Sequence, residues 1–454
     1  MPGQVNIVEV IAYNAEGYLA SRPVQFSFMP PAEGPRGAPR LWALVVGVSK
    51  FEREMLNLRY AAKDAESAAK ALALAGERLF PNRVHVRLLS TVSDKAEQQP
   101  TKENIVNAFK ELQEQSQSND IFILYLAGHG VTFGGQDGDF YFLTCEASTG
   151  ELVDPAIRER TTISGDELTQ LLIGIPEKKQ VMILDTCASG RLIEKLTEKR
   201  AVESGLVRAW DRMKDRTGLW ILAGCAADAV SYESSRYGEG VLTYSLLQGI
   251  KLDWQKVLRK DEGSALPEYV DVSMLFNYAA DEVPKLAEGI GGIQRPLIAA
   301  RGDARSFDIG RITNDDRMAI PLPSKKAVFL RSNFQLEGRP RDPLELTKRL
   351  DARLLAASTM RLDSSLIFWD VPRYPGAYRL AGLYQQAGSN VSAKVFVSRF
   401  VQEGDDTVER DVGDPFTVEG EASNLENFVS SILSEAEKRI PDMERKENDG
   451  VKDE

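Results

Sequence analysis

From Leu41 to about Gly310, short apolar runs alternate with stretches of helical periodicity. Leu41–Val48 is almost continuously apolar and predicts a strand buried on both faces. Leu58–Ala75 carries Leu58, Ala61, Ala65, Ala68 and Leu72 at helical spacing and predicts an amphipathic helix. Val84–Leu89 reads as a second strand, and Thr101 can cap a helix bearing Ile105, Ala108, Phe109 and Leu112. Asp120–Ala127 is a third strand. Ser164 and Glu167 form a capping-box pattern before Leu168, Leu171 and Leu172. Gln180–Asp185 and Gly218–Gly224 complete a set of five strands. Apolar strands separated by helices imply a mostly parallel sheet covered on both faces, an α/β three-layer sandwich.

The flanks read differently. Val5–Tyr13 and Leu19–Phe28 predict two strands joined by Asn14-Ala15-Glu16-Gly17. They resemble the last strands of an immunoglobulin-like or propeller-associated module. A lone hairpin is marginal in water, so this one is expected to dock. Pro30, Pro31, Pro35 and Pro39 make the following stretch a linker, so residues 1–40 stand apart from a main domain at 41–312. After a polar connector, residues 325–440 predict a smaller α/β unit. It holds a strand at Ala327–Ser332 and a helix with Asp342, Pro343 and Glu345 at the N-cap, first and third positions. Then come a strand at Leu366–Trp369 and a hairpin, Tyr378–Gln386 with Val391–Phe400, turning at Gly388-Ser389-Asn390. A final helix, capped by Ser423 and Glu426, shows Leu425, Phe428, Ile432, Ala436 and Ile440 on one face. Residues 441–454 are a charged tail expected to fray.

Length and composition narrow the function classes. At 454 residues the chain has room for two or three domains. Its 56 basic and 67 acidic side chains give a net charge of -11, against broad nucleic-acid binding. The apolar runs fall short of the roughly 20 residues of a membrane helix. No signal peptide opens the chain, and three cysteines make no disulfide framework, so a reducing, cytoplasmic location is expected. There are two histidines, His85 and His129, which excludes a His-rich metal site. His85 alternates within a strand and reads as structural.

Two strand ends carry the chemistry. One reads Leu126-Ala127-Gly128-His129-Gly130 and the other Leu184-Asp185-Thr186-Cys187-Ala188-Ser189-Gly190. Functional groups gather beyond the carboxyl ends of parallel strands. On neighbouring strands, about 4.8 Å apart, His129 and Cys187 could face one cleft. A thiol acts as nucleophile when an imidazole takes its proton. Cys145 and Cys225 read as small core residues. The Gly128–Gly138 stretch lacks the Lys-Ser/Thr of a phosphate loop, and no Gly-x-Gly-x-x-Gly follows the first strand.

In this order the motifs resemble the caspase-like cysteine peptidases, especially their bacterial and metacaspase-type members. Trp42-Ala43-Leu44-Val45-Val46-Gly47-Val48 is similar to that fold's first strand, and Leu58-Arg59-Tyr60-Ala61-Ala62-Lys63-Asp64-Ala65 to its first helix. Gly128-His129-Gly130 and Asp185-Thr186-Cys187-Ala188-Ser189-Gly190 match the catalytic motifs. Leu222–Asp228, Glu233 and Gly240-Val241-Leu242-Thr243-Tyr244 resemble the start of the small subunit. The resemblance covers about 41–310.

It implies Cys187 as nucleophile, His129 as general acid/base, and the amides of Gly130 and Cys187 as oxyanion hole. It implies Asp185 and Asp64 as the acids of an S1 pocket, hence cleavage of protein substrates after Arg or Lys rather than Asp. Ala188 departs from the family, where a larger polar residue often follows the nucleophile. No cofactor is implied. Calcium dependence is left open, because Asp137 and Asp139 lie near the site without ligand-loop spacing. Arg191–Arg216 holds eight basic residues and reads either as an exposed helix or as an activation segment, with Lys199 and Arg200 as leading cut sites. The family's prokaryotic members serve regulated proteolysis, including stress and phage defence, so an activating partner protein is expected. The alternative is a catalytically silent caspase-like scaffold, against which the joint presence of Cys187, His129 and Asp185 speaks.

Overall fold

The computed structural model describes residues 5–12, 21–29, 37–134, 139–177, 179–188, 219–224, 233–234, 236–252, 269–288, 293–300, 305–323, 325–359, 366–403 and 406–450. Strands β1 (Asn6–Val10) and β2 (Val24–Phe28) pair antiparallel. Ile7, Val10, Val24 and Phe26 on this hairpin remain exposed, so the docking expected of it is not met by these side chains. The turn at Asn14–Gly17 lies outside the described residues.

The main domain is built on β3 (Leu41–Gly47), α1 (Ala61–Leu79), β4 (Val84–Ser90), α2 (Lys102–Gln115) and β5 (Ile121–Phe133). It continues through β6 (Asp139–Leu143), α3 (Pro155–Thr161), β7 (Thr162–Ser164), α4 (Gly165–Ile173), β8 (Lys179–Ala188) and β9 (Trp220–Ala223). Next come β10 (Glu233–Ser234), β11 (Glu239–Gly240), α5 (Val241–Lys251), β12 (Tyr269–Asp271), α6 (Val272–Glu288), β13 (Leu297–Ala299), β14 (Asp308–Arg311) and α7 (Asn314–Ala319).

The central sheet runs β13-β9-β8-β5-β3-β4, parallel except for β13. Successive side chains of β3 enter different cores. Leu41, Ala43 and Val45 pack with residues of α1, α5 and α6, and Trp42, Leu44 and Val46 with residues of α2 and α4. β5 and β8 divide in the same way, so the strands are apolar throughout because both faces are covered. This is the three-layer sandwich expected from the sequence.

Local signals act as expected at two helix starts. Thr101 accepts from the Asn104 amide, and Ser164 from the Glu167 amide. Glu167 does not return the second bond of a capping box; its carboxylate pairs with Lys102 at 2.8 Å. The alanine-rich face of α1 lets it approach β3 closely. A Cβ at Gly47 would lie 2.5 Å from the Ala65 Cβ, so only glycine fits there.

The C-terminal unit holds β15 (Ala327–Phe329), β16 (Asn333–Leu336), α8 (Leu346–Thr359), β17 (Leu366–Phe368), β18 (Tyr378–Ala387), β19 (Asn390–Glu403), β20 (Asp406–Asp411), β21 (Phe416–Glu421) and α9 (Leu425–Gly450). Its mixed sheet carries α8 and α9 over an apolar core around Phe329, Leu350, Tyr384 and Ile432. One expectation is corrected. The helix after Asp342 starts later, at Leu346, because Glu345 takes a left-handed φ of 52°; the Asp342 carboxylate still receives the Leu346 and Thr347 amides. The backbone of α9 runs on from Pro441 to Gly450.

Candidate active site

β5 and β8 lie side by side in parallel register. Ala127 stands opposite Asp185, Gly128 opposite Thr186, His129 opposite Cys187 and Gly130 opposite Ala188. The sequence ended these strands before their motifs. In the structure both run through them, to Phe133 and Ala188, because β6 folds back on β5 and prolongs the ladder, pairing Phe142 with Gly130. Tight packing surrounds the motif glycine. A Cβ at Gly130 would sit 2.6 Å from the Phe140 ring and 3.0 Å from the Thr186 hydroxyl.

His129 is buried, and its Nε2 lies 2.7 Å from the Leu56 carbonyl oxygen. A carbonyl can only accept, so Nε2 donates to it, and Nδ1 is the ring nitrogen left to take up a proton. The Phe51 ring packs against the imidazole, with centroids 5.1 Å apart. The Leu56 carbonyl had no sequence signal, since any residue there offers the same group.

The two predicted acids also meet. Asp64 comes from the first turn of α1 and Asp185 from β8, and both are buried. A Cβ on Gly240 of β11 would lie 2.9 Å from a carboxylate oxygen of each. The Gly240 amide donates to Asp64 at 2.9 Å. Asp185 accepts from the Thr243 amide at 3.1 Å and from the Thr243 hydroxyl. That hydroxyl has spent its hydrogen on a carboxylate, so the Tyr125 hydroxyl, 2.5 Å away, donates to Thr243. Burial and the charges of Asp185 and Asp64 push the Tyr125 hydroxyl well above its usual range, which keeps it a donor.

A third acid joins them. Glu239 is 0% exposed. Its Oε1 accepts from Ser67 at 2.9 Å and lies 3.7 Å from Lys63 Nζ. Burial, contact with Glu239 and the negative charge of Asp185 raise Asp64 well above the ordinary carboxylate range, opposed by the Gly240 amide. Sequence reasoning missed Glu239, Gly240 and Thr243 as site residues. The signal was a lone acid two residues before the mostly apolar stretch Val241–Leu247.

Other predicted residues lie elsewhere. His85 sits exposed on β4, stacked on Trp42 with centroids 4.1 Å apart, the structural role expected of it. Burial pushes the Cys145 thiol up to about 11, so it is no nucleophile at neutral pH. Lys199, Arg200, Asp137, Cys225 and the side chains of Cys187 and Glu233 lie outside the described residues. Asp139 caps α4, accepting from the Asp166 amide at 3.0 Å. Among the described residues no group of three or more His, Cys, Asp or Glu has metal-holding geometry.

The chain is similar to several known proteins. Metacaspase-7 of Arabidopsis thaliana is 31% identical over 110 residues, 24% of this chain and 25% of that protein. Metacaspase-4 of the same plant is 26% identical over 160 residues, 35% of each chain. The matches thus span about a third or less of these relatives. A solved protein, GSU0716 from Geobacter sulfurreducens, is 17% identical, with a TM-score of 0.37 over 63% of this chain and 98% of that one. Among the described residues no helix is long and apolar enough to cross a membrane. The caspase-domain profile matches residues 40–305, more than half of the sequence and the whole of the sheet that carries His129 and Cys187, and the chain belongs to the caspase-domain family of peptidases.

Proposed function

We propose that the chain is a cysteine endopeptidase that cuts protein substrates after Arg or Lys. The observation that carries this reading is the β5–β8 register, which pairs His129 with Cys187 while Asp185, two residues upstream, meets Asp64 around Gly240. Nδ1 of His129 takes the thiol proton, and the Cys187 thiolate attacks the scissile carbonyl. The amides of Gly130 and Cys187 stabilise the resulting oxyanion. The imidazolium then protonates the leaving amine, and the acyl-enzyme is hydrolysed by a water that His129 deprotonates. Asp64 and Asp185 receive the cationic side chain by charge-assisted hydrogen bonds. Activation follows cleavage at Lys199 or Arg200, or engagement of a partner protein, in a bacterial regulatory or defence pathway.

The test is release of a fluorogenic group from Arg-, Lys- and Asp-ended peptides. It compares wild type, Cys187→Ala and His129→Asn, with and without calcium and after limited tryptic activation. Turnover of Arg and Lys peptides that either substitution lowers by about 10³-fold or more is expected. No turnover of any peptide after activation overturns the enzyme and leaves a scaffold. Preference for the Asp peptide overturns the acidic pocket alone.

A further inference from the structure

β4 ends the central sheet, and the pairing on its inner side fixes what its outer edge offers. The Leu41 amide binds the Arg83 carbonyl at 3.0 Å, and the Thr91 amide binds the Gly47 carbonyl at 3.2 Å. A parallel ladder engages alternate residues of a strand, so the odd-numbered residues of β4 face β3. Val84, Val86 and Leu88 therefore turn N–H and C=O outward, and among the described residues no other group bonds to them. Ser90, the next outward residue, already gives its carbonyl to the Ser93 amide at 3.1 Å, so the free stretch ends at Leu88. Side chains sort onto two faces. Val84, Val86 and Leu88 lie half-buried against the core that holds α1. His85 stacks on Trp42 on the α2 side, and Arg83 and Arg87, two residues to either side, continue that row. A cleft of about 380 Å³ opens beside it, lined by Trp42, His85 and Arg87 from the sheet and by Ala108, Glu111 and Leu112 from α2. Arg87 donates to the Glu97 carbonyl at 3.2 Å, and among the described residues neither Arg83 nor Arg87 is paired with an acid.

An open edge is a template for a further strand, and proteins guard such edges with charge. Here the charge also selects. A second copy pairing antiparallel along β4 would bring the Arg83–Arg87 row of one copy against the same row of the other, and like charges directly opposite are destabilising. An extended segment with acids at alternate positions reverses the sign of that contact. Apolar residues between the acids continue the row of Val84, Val86 and Leu88 on the other face. We propose that the outer edge of β4 is a docking site for an extended segment of a partner protein in which acidic and aliphatic residues alternate. The segment adds to the sheet as a strand, bonding to the backbone of Val84, Val86 and Leu88. Its carboxylates meet Arg83 and Arg87, and the cleft beside Trp42 gives them room; Glu111 is the one acid lining that cleft and opposes them. The edge is three strands from β8, about 14 Å across the sheet, so this surface is separate from the one that pairs His129 with Cys187.

The probe is a fluorescein-labelled peptide, Glu-Val-Glu-Val-Glu-Val-Glu amide, titrated with the full chain carrying Cys187→Ala and read by fluorescence anisotropy. Saturable binding is expected. It should weaken about tenfold or more when Lys replaces Glu in the peptide, when every peptide nitrogen is methylated, and in the Arg87→Glu chain. Val86→Pro removes one outward N–H and no bond of the β3–β4 ladder, a change an edge strand accepts, and should weaken binding to a similar extent in a chain that thermal unfolding shows to be folded. Glu111→Gln, which takes away the opposing acid, should tighten binding about two- to fivefold. No saturable binding of the Glu peptide overturns the proposal. Equal binding of the methylated peptide also overturns it, since charge alone then holds the peptide, and weaker binding to Glu111→Gln overturns the charge argument on which the choice of partner stands. A concentration-dependent dimer in sedimentation that Val86→Pro breaks gives the edge to a second copy and overturns the partner. Should the proline variant not fold, the methylated peptide decides by itself, because it leaves the protein unchanged.

Discussion

Gly240→Ala is the sharpest probe of the acidic site, because it changes sterics without backbone strain. Gly240 has φ −61° and ψ 145°, values any residue adopts. The added methyl would lie 2.9 Å from a carboxylate oxygen of both Asp64 and Asp185, about 0.5 Å inside ordinary carbon–oxygen contact. Neither carboxylate yields freely. Asp64 is held by the Gly240 amide at 2.9 Å, and Asp185 by the Thr243 amide at 3.1 Å and by its hydroxyl. Relief by half an ångström stretches these bonds beyond effective length. Overpacking of this kind costs about 1–3 kcal/mol. A similar loss in substrate binding raises KM for an Arg peptide by about 5- to 150-fold. With His129 and Cys187 untouched, kcat should stay within about threefold. Steady-state kinetics and thermal unfolding check both. An unchanged KM would refute the claim that these carboxylates flank the substrate. A collapsed kcat with unchanged KM would put residue 240 in the bond-making step instead.

Two further outcomes follow from buried polar groups. Thr243→Val removes the hydroxyl bond to Asp185 and strands the Tyr125 hydroxyl, so it should cost about 1–3 kcal/mol in urea unfolding and raise KM, while Thr243→Ser should retain both. Glu177 is buried at the N-terminal end of the sheet, and burial pushes its carboxyl up to about 7. The folded state then holds a proton the unfolded chain has lost, so this group's contribution to stability is greatest below pH 4.5 and falls as pH rises through 7. Glu177→Gln should therefore stabilise the protein by roughly 1–3 kcal/mol at pH 8 and not at pH 4.5, read by thermal melts.

What the sequence disclosed was what side chains alone decide. Strands such as Leu41–Val46 are apolar on both faces because helices cover both, and that periodicity was legible without any contact. Thr101 and Ser164 marked helix starts because a hydroxyl acceptor three residues before an amide is a local device. The strand ends were misplaced because β6 extends β5, and that pairing depends on a return of the chain that periodicity does not encode. In the C-terminal unit, β20 was missed for a related reason. Its residues DTVERD are mostly exposed, so an edge strand there shows no buried alternation.

The candidate site divides along the same line. His129, Cys187, Asp64 and Asp185 were read as chemistry because their side chains are scarce or ionisable in telling positions. Their partners are largely backbone: the Leu56 carbonyl on His129, the Gly240 amide on Asp64, the Thr243 amide on Asp185. Such groups leave no mark in composition, yet they set which imidazole nitrogen carries the proton and how far apart the acids sit. β11 is two residues long, too short to be held by its own ladder, and it is fixed from outside. Lys63 binds the Gly238 carbonyl on one side, and on the other the Lys326 amide, from the chain leading into the C-terminal unit, binds the Arg236 carbonyl at 2.7 Å. The contacts that hold β11 therefore run from position 63 to position 326, and no window of the sequence short enough to read as a motif contains them.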